Sequence, residues 1–190
     1  MDDGHGTLLA RLAAGAVGAR LRGLAVPDAA PEPEPLREPG ASFVTLECGG
    51  RLRGCVGSLD AVRPLWRDVV RNALRAMHDP RLPAVTPADW PELDVKVSVL
   101  TRPETVPVVG ADDLLASLRP GVDGLLLTEG RRRATFLPAV WEMLPEPDRF
   151  LDALLVKGGW PAGYWSPGLR AQRYTTVEYR DPAPRTPLRG

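Results

Sequence analysis

Cys55 is the side chain in this sequence whose surroundings most favour chemistry. Arg53 and Gly54 precede it and Gly57 follows it, in the run Leu-Arg-Gly-Cys-Val-Gly. Glycine has no Cβ, so a ligand or another backbone can approach the thiol closely. Arg53, two residues away on the same strand face, favours the thiolate. We interpret Cys55 as a candidate nucleophile, and Arg53, Gly54 and Gly57 as candidate residues for binding an anionic ligand.

Simpler interpretations of these residues stay open. A free cysteine is often a small buried apolar side chain, and Arg53 can form a structural ion pair, for which Glu47 and Asp79 are candidate partners. A cysteine hydrolase would need a base beside the thiol. The two histidines of the chain are His5, near the N-terminus, and His78, at a predicted helix end. The sequence therefore gives little support to a cysteine–histidine hydrolase.

A predicted β-hairpin positions the thiol. Two β-prone runs flank Gly49 and Gly50, a pair typical of a two-residue hairpin turn. In the register that this turn predicts, Cys55 faces Val44, and Cys48 lies roughly 13 Å from Cys55 along the strands. A disulfide needs Cα atoms within about 7 Å, so we predict two free thiols.

The remaining elements predict an α+β fold with an antiparallel sheet flanked by helices, because hairpins connect strands as often as helices do. We expect a single domain over residues 1–190, with a mobile proline-rich connector at 27–39 and a disordered tail at 181–190. A helix cap is expected at Asp112. The predicted helices cover residues 7–22, 60 or 63 to about 78, 112–118, 138–144 and 147–157, and the later strands cover 95–100, 122–128, 132–137 and 174–179.

The composition argues against several classes of protein. The 24 basic and 24 acidic residues cancel, so the chain lacks the charge expected of a protein that binds nucleic acid or an anionic membrane. It has no apolar run of the roughly 20 residues that a membrane helix needs, and its N-terminus does not resemble a signal peptide. Two cysteines without an export signal predict a cytoplasmic protein. No metal-ligand spacing and no phosphate-binding glycine motif is present, so we predict no metal and no cofactor.

Six short motifs, in order, resemble those of the AMMECR-type domain family, whose bacterial members are called AmmeMemoRadiSam system protein A. They occupy residues 52–57, 79–81, 97–100, 123–125, 133–138 and 157–159. The resemblance implies a larger unit that carries both termini, a smaller subdomain from the middle of the chain, and an intervening cleft. It also implies association with a Memo-type protein and a radical S-adenosylmethionine protein.

Three further residues within these motifs complete the predicted ligand-binding set: Arg81, Thr135 and Lys157. Arg81 and Lys157 are also explained as caps of helix ends, and Thr135 as an ordinary strand hydroxyl. We expect the protein to bind a small anionic or peptide ligand in a cleft near Arg53 and Cys55. The alternative is a small enzyme that uses Cys55 as its nucleophile.

The chain departs from the family pattern at several positions, among them Lys96, Leu82 and Gly158. These differences leave the family's ligand preference open for this sequence. The chain has two cysteines, fewer than the three that a radical enzyme needs for its iron–sulfur cluster. Any radical chemistry would therefore belong to the partner.

Overall fold

A computed structural model describes residues 2–188 of the chain. The described residues form two compact units: unit 1 contains those up to Leu100 and those from Val177 onwards, and unit 2 is Thr101–Thr176. Each unit has its own four-stranded antiparallel sheet and its own apolar core. The predicted α+β class with antiparallel sheets is therefore confirmed.

The described residues contain four α-helices and eight strands. The helices are α1 (Asp3–Leu21), α2 (Leu65–Ala76), α3 (Ala111–Ser117) and α4 (Pro147–Lys157). The strands are β1 (Ser42–Cys48), β2 (Arg51–Gly57), β3 (Leu93–Leu100), β4 (Glu104–Thr105), β5 (Gly124–Glu129), β6 (Arg132–Phe136), β7 (Arg170–Tyr174) and β8 (Thr176–Asp181).

In unit 1, the sheet has the strand order β2-β1-β3-β8, and α1 and α2 pack against one of its faces. Alternate residues of β1 and β3 are fully buried there, namely Val44, Leu46, Val95 and Val97. Because successive strand residues point to opposite faces, the residues between them lie on the other face, which is half-buried and mainly polar. We call this second surface the outer face; it consists of Phe43, Thr45, Glu47, Cys55, Gly57, Lys96 and Ser98.

The predicted hairpin is confirmed, but its register contains a β-bulge. Gly49 and Gly50 both have positive φ (55° and 74°), as a tight hairpin turn of this type requires. Glu47 pairs with Leu52 and Leu46 pairs with Gly54, so Arg53 is an extra residue on β2. The register expected from the turn alone is therefore wrong beyond this point.

The bulge changes the partner of the thiol. Cys55 pairs with Thr45, whereas the unbulged register would place it opposite Val44, on the core face. A slip of one residue moves a strand's side chains to the other face of the sheet. The bulge thus places the Cys55 thiol on the outer face and Val56 on the core face. Both cysteines are free thiols, as predicted.

In unit 2, the sheet has the order β4-β7-β5-β6. Helix α4 has the predicted bounds and buries the predicted face, Phe150, Leu151, Leu154 and Leu155. The ring of Trp141 stacks on Phe150 with centroids 3.7 Å apart. The predicted final strand at 174–179 corresponds to β8 apart from Tyr174, which ends β7 in the other sheet, and the rest of β7 was not predicted. The expected cap at Asp112 is also wrong, because Gly110 is the N-cap residue of α3.

Both segments that we expected to be a connector and a tail make specific contacts. Within 27–39, Leu36 is fully buried in the unit 1 core. Beyond β8, the Arg185 guanidinium donates to the Leu93 carbonyl at 2.7 Å and to the Asp181 carboxylate at 3.0 Å. It also stacks over the Trp90 ring. The last two residues of the expected tail, 189 and 190, lie outside the described residues.

Among residues 2–188, no helix is both long enough and apolar enough to cross a membrane.

Two glycines of α1 allow a matched test of how this helix packs. A Cβ on Gly6 would lie 2.0 Å from a ring carbon of Tyr179 in β8, whereas a Cβ on Gly15 would meet nothing within 4 Å. We expect Gly6→Ala to cost about 1–3 kcal/mol of unfolding free energy, because the buried ring must move. Gly15→Ala should add about 0.5–1 kcal/mol through helix propensity. Urea denaturation measures both, and equal stabilities would contradict this packing.

Candidate functional site

Cys55 lies at the edge-strand end of a polar row that crosses three strands. On the outer face it pairs with Thr45 of β1, which in turn pairs with Lys96 of β3. The Thr45 hydroxyl donates to the Cys55 sulfur at 3.3 Å. The Lys96 ammonium forms an ion pair of 2.6 Å with Glu47. The thiol is half-buried, so it is ordered by its neighbours and is still reachable.

Protein atoms occupy the space beside the two glycines that flank the thiol. A Cβ on Gly54 would lie 1.9 Å from the Ala76 carbonyl oxygen at the end of α2. A Cβ on Gly57 would lie 2.2 Å from the Phe43 ring. We expected a ligand or another backbone to approach here; at Gly54 it is the backbone at the end of α2, and at Gly57 the Phe43 ring fills the space. The two glycines therefore have a packing role on opposite faces of β2.

The Asp-Pro-Arg segment after α2 clamps the backbone of Cys55. The Cys55 amide donates to the Asp79 carboxylate at 3.1 Å, and the Cys55 carbonyl accepts from Arg81 Nη2 at 3.1 Å. Strand β2 is at the edge of its sheet, where backbone groups otherwise lack partners. Asp79 and Arg81 therefore provide hydrogen-bond partners for the backbone amide and carbonyl of Cys55 at this edge.

Asp79 is held ionised by this arrangement. Its side chain is 1% exposed, and it accepts from Arg81 Nε at 2.9 Å and from Arg81 Nη2 at 2.6 Å. The Arg81 hydrogen bonds lower the pKa of Asp79 far below its ordinary value; burial opposes this, and the Cys55 and Arg81 amides add to the lowering. The ion pair in turn raises the pKa of Arg81. The guanidinium is thus fixed in orientation while its side chain stays 67% exposed.

Arg53 makes an ion pair, but with neither of the expected partners. Its Nη2 donates to both carboxylate oxygens of Asp89 at 2.7 Å, while Glu47 and Asp79 are engaged by other cations. Burial alone would raise the pKa of Asp89; the Thr86 amide and hydroxyl and the Arg53 guanidinium outweigh it, so this pKa is lowered. The positive charge of Arg53 is therefore neutralised by Asp89.

Cys48 has a different environment from Cys55. Its thiol donates to the Asp89 carbonyl at 3.7 Å and lines a depression of about 450 Å³ together with Arg53 and Glu92. Burial and the negative charges of Asp89 and Glu92 raise the pKa of the Cys48 thiol, although Arg53 opposes them. Cys48 is therefore a thiol that its surroundings keep protonated.

The two predicted residues in unit 2 contact each other. Lys157 Nζ donates to the Thr135 carbonyl at 2.7 Å and lies over the Phe136 ring. The Thr135 hydroxyl lies 2.7 Å from the hydroxyl of Tyr174, and burial raises the pKa of Tyr174 to about 12. The predicted set is thus divided: Arg53, Gly54, Cys55, Gly57 and Arg81 belong to unit 1, and Thr135 and Lys157 belong to unit 2.

The sequence analysis did not predict two polar clusters. In unit 2, the Glu129 carboxylate accepts from Trp160 Nε1 at 2.8 Å, from the Tyr164 hydroxyl at 3.1 Å and from the Ser166 hydroxyl. These partners lie 31 to 37 residues further along the chain, so no local pattern indicates them. The Ser166 hydrogen bond is the main cause that lowers the pKa of Glu129, followed by that of Trp160.

The second cluster fastens α2 to β1. The amide and the hydroxyl of Ser42 donate to the buried Asp68 carboxylate at 3.0 and 2.8 Å, and the Asn72 amide donates to the same carboxylate at 2.9 Å. Arg63 completes the set with an ion pair to Asp68. The available signal was the pair Asp68 and Asn72, which are four residues apart on the buried side of α2. Within residues 2–188, no group of three His, Cys, Asp or Glu side chains is arranged to hold a metal ion.

These features define an α+β protein of two units, in which an Asp-Pro-Arg segment clamps a thiol-bearing edge strand. The sequence model of the AMMECR1 family matches residues 10–179, and the chain belongs to this family. The resemblance inferred from the six motifs is therefore confirmed.

Relatives with similar sequences cover nearly the whole chain. A protein of Methanothermobacter thermautotrophicus is 37% identical over 176 residues, which are 90% of this chain and 91% of the relative. A protein of Thermococcus gammatolerans is 33% identical over 201 residues, or 100% of this chain and 96% of the relative. The crystal structure of the uncharacterised protein PH0010 from Pyrococcus horikoshii matches with a TM-score of 0.89 at 28% identity, covering 99% of each chain.

Asp79→Asn tests the clamp. At neutral pH we expect a loss of about 1–3 kcal/mol of unfolding free energy, because the Arg81 pair is lost and the Cys55 amide keeps a weaker acceptor. The folded-state pKa of Asp79 is lowered, so its contribution is complete above the unfolded pKa of about 3.9 and falls as the pH drops below that value. The difference from wild type should therefore shrink with acidification.

Denaturant titrations at several pH values measure this difference. Asp112→Asn, at an exposed position of α3, is the matched control and should change stability little. A wild type and an Asp79→Asn variant of equal stability at pH 7 would contradict the clamp.

The environment of Cys48 predicts slow alkylation. In the Cys55→Ser variant, the remaining thiol should react with iodoacetamide more slowly than a free cysteine peptide at pH 8, because its raised pKa reduces the thiolate fraction. Asp89→Asn, added to this variant, should accelerate the reaction, since it removes a negative charge. Mass spectrometry of the alkylated peptide gives the rates. A Cys48 rate equal to that of the peptide, unchanged by Asp89→Asn, would contradict this description.

Proposed function

We propose that the protein is a non-hydrolytic, ligand-binding component of a cytoplasmic system that includes a Memo-type protein and a radical S-adenosylmethionine protein. It binds a small ligand with a carboxylate or phosphate group, or a peptide end, beside Cys55. The observation that carries this proposal is the Arg81 guanidinium, held at the Cys55 carbonyl by Asp79 and still 67% exposed.

An arginine of this kind suits an anion for two reasons. Two hydrogen bonds to the buried Asp79 carboxylate fix the guanidinium plane, so little conformational freedom is lost when a ligand binds. Arg81 Nη1 makes no hydrogen bond to any residue in 2–188, so it can donate to a carboxylate or phosphate oxygen. By contrast, Arg53 is already neutralised by Asp89. The ligand-binding cation of this region is therefore Arg81.

The surroundings of the thiol favour binding over hydrolysis. The Cys55 sulfur accepts a hydrogen bond from Thr45, and a hydroxyl does not act as a base toward the thiol. His78 lines a groove with Val56, whose side chain points to the face of β2 opposite that of Cys55. Cys55 then contributes polarity and shape to the ligand site.

Support for the partners comes from the family. Membership in the AMMECR1 family, together with the motifs of its AmmeMemoRadiSam branch, favours association with the other two proteins of that name. The two free thiols suit a reducing compartment, in agreement with a cytoplasmic location.

Arg81→Gln tests the ligand site. Thermal-shift measurements with a panel of small carboxylates and phosphates should identify a ligand that raises Tm by roughly 5–10 °C at about one hundred times its Kd. The shift should disappear in Arg81→Gln and persist in Arg149→Gln, an exposed arginine of α4. Cys55→Ser should retain binding. A panel without any stabilising anion, or a shift that survives Arg81→Gln, would contradict the proposed site.

Co-expression tests the partners separately. The tagged protein should co-purify with a Memo-type or a radical S-adenosylmethionine protein encoded in the same genome, and a tagged unrelated protein of similar size serves as the control. Failure of both to co-purify would contradict the association, whatever the result for the ligand.

A further inference from the structure

Helix α2 carries a basic stripe and an apolar stripe side by side. Basic residues recur every four positions along its exposed side, and so do apolar residues one position away. Residues four apart lie on one face of a helix, so each set forms a continuous line. The basic stripe of α2 is Arg67, Arg71 and Arg75, with Arg63 just before the helix, and the apolar stripe is Trp66, Val70 and Leu74.

A groove of about 680 Å³ follows these stripes within unit 1. Its floor includes Val56 from β2 and Val70 and Leu74 from α2, all half-buried and packed against the unit 1 core. The arginines line its rim. From Arg67 to Arg75 the rim is about 12 Å long, which equals roughly two turns of a helix.

Part of the positive charge at this rim is unbalanced. Among residues 2–188, Arg71 and Arg75 have no carboxylate within ion-pair distance, and both are exposed. Arg63 is used by the buried Asp68. The exposed Asp28 already places a carboxylate oxygen 3.5 Å from Arg67, which shows that this rim accepts acidic groups. In a chain whose formal net charge is zero, this is a local excess of positive charge.

We propose that this groove binds an acidic amphipathic helix of a partner protein. The apolar side of such a helix would cover Val56, Val70 and Leu74, and its carboxylates would pair with Arg71 and Arg75. Apolar anchors at helical spacing that enter a groove are a common form of peptide recognition, and charges at the rim select the partner and its orientation.

The apolar floor favours a protein helix over other anionic partners. Single-stranded nucleic acid is typically bound by stacking on exposed rings, whereas Trp66 is only 3% exposed. A membrane would need apolar side chains that project outwards, whereas those of this groove form its floor. The inference uses different side chains from those of the ligand site, because Val56 and Cys55 are neighbours on β2 and point to opposite faces of the sheet.

Fluorescence anisotropy with a labelled designed peptide tests the groove. The peptide is a helix of roughly 15 residues with leucines on one face and glutamates on both flanks. A second peptide has lysine in place of each glutamate. At about 50 mM salt we expect the glutamate peptide to bind at least about tenfold more tightly than the lysine peptide, and to weaken as the salt concentration rises.

The double variant R71E/R75E should weaken the glutamate peptide about tenfold or more. The matched control R131E/R149E makes the same change of charge at exposed positions of unit 2 and should stay within about twofold of wild type. Thermal melting confirms that both variants fold. Equal binding of the two peptides, or an unchanged affinity in R71E/R75E, overturns the proposal. So does tighter binding of single-stranded DNA or of anionic lipid vesicles that depends on the same two arginines.

Discussion

The β-bulge at Arg53 is the constraint on which the rest of the candidate site depends. Before it, the pairing of β1 with β2 follows the tight turn at Gly49 and Gly50; after it, every side chain of β2 has changed face. Val56 can then join the core while the thiol of Cys55 stays on the outer face. Arg53, which is the extra residue itself, forms an ion pair with Asp89. The inserted residue therefore determines which side chains of this edge strand face the core and which face the polar side.

The clamp explains why two motifs 24 residues apart occur together. An edge strand with an outward thiol leaves a backbone amide and a carbonyl unpaired at that residue, and such an edge can pair with another chain. Asp79 and Arg81 satisfy both groups from the segment that follows α2. Gly54 allows the end of α2 to approach closely enough for this, since its missing Cβ makes room for the Ala76 carbonyl. The motifs that carry the family resemblance thus stabilise one another before any ligand is considered.

Local patterns predicted those parts of the fold that local interactions determine. Helix α4 has an apolar spacing and a terminal glycine, and its bounds agree with the structure. The turn of the first hairpin was equally clear. The bulge could not be predicted, because the residue types of a strand with an extra residue do not differ from those of a strand without one. Strand β7, Arg-Ala-Gln-Arg-Tyr, contains no β-branched residue, and its pairing with β4 and β5 makes it a strand. The partner of Arg53 was missed because Asp89 lies 36 residues away.

In the candidate site, too, the sequence indicated the residue types, and contacts between distant residues determined their roles. Residue types indicated a thiol, a cation and flanking glycines, but charge neutralisation in three dimensions decides which cation is available. Asp89 neutralises Arg53, whereas Asp79 orients Arg81 and leaves it exposed. Arg71 and Arg75 lie outside all six motifs, so the family resemblance gives no information about the charge at the rim of the groove on α2. Two chemically distinct surfaces thus share one strand, because Cys55 faces outward toward polar groups while Val56 faces the helix that carries the arginines.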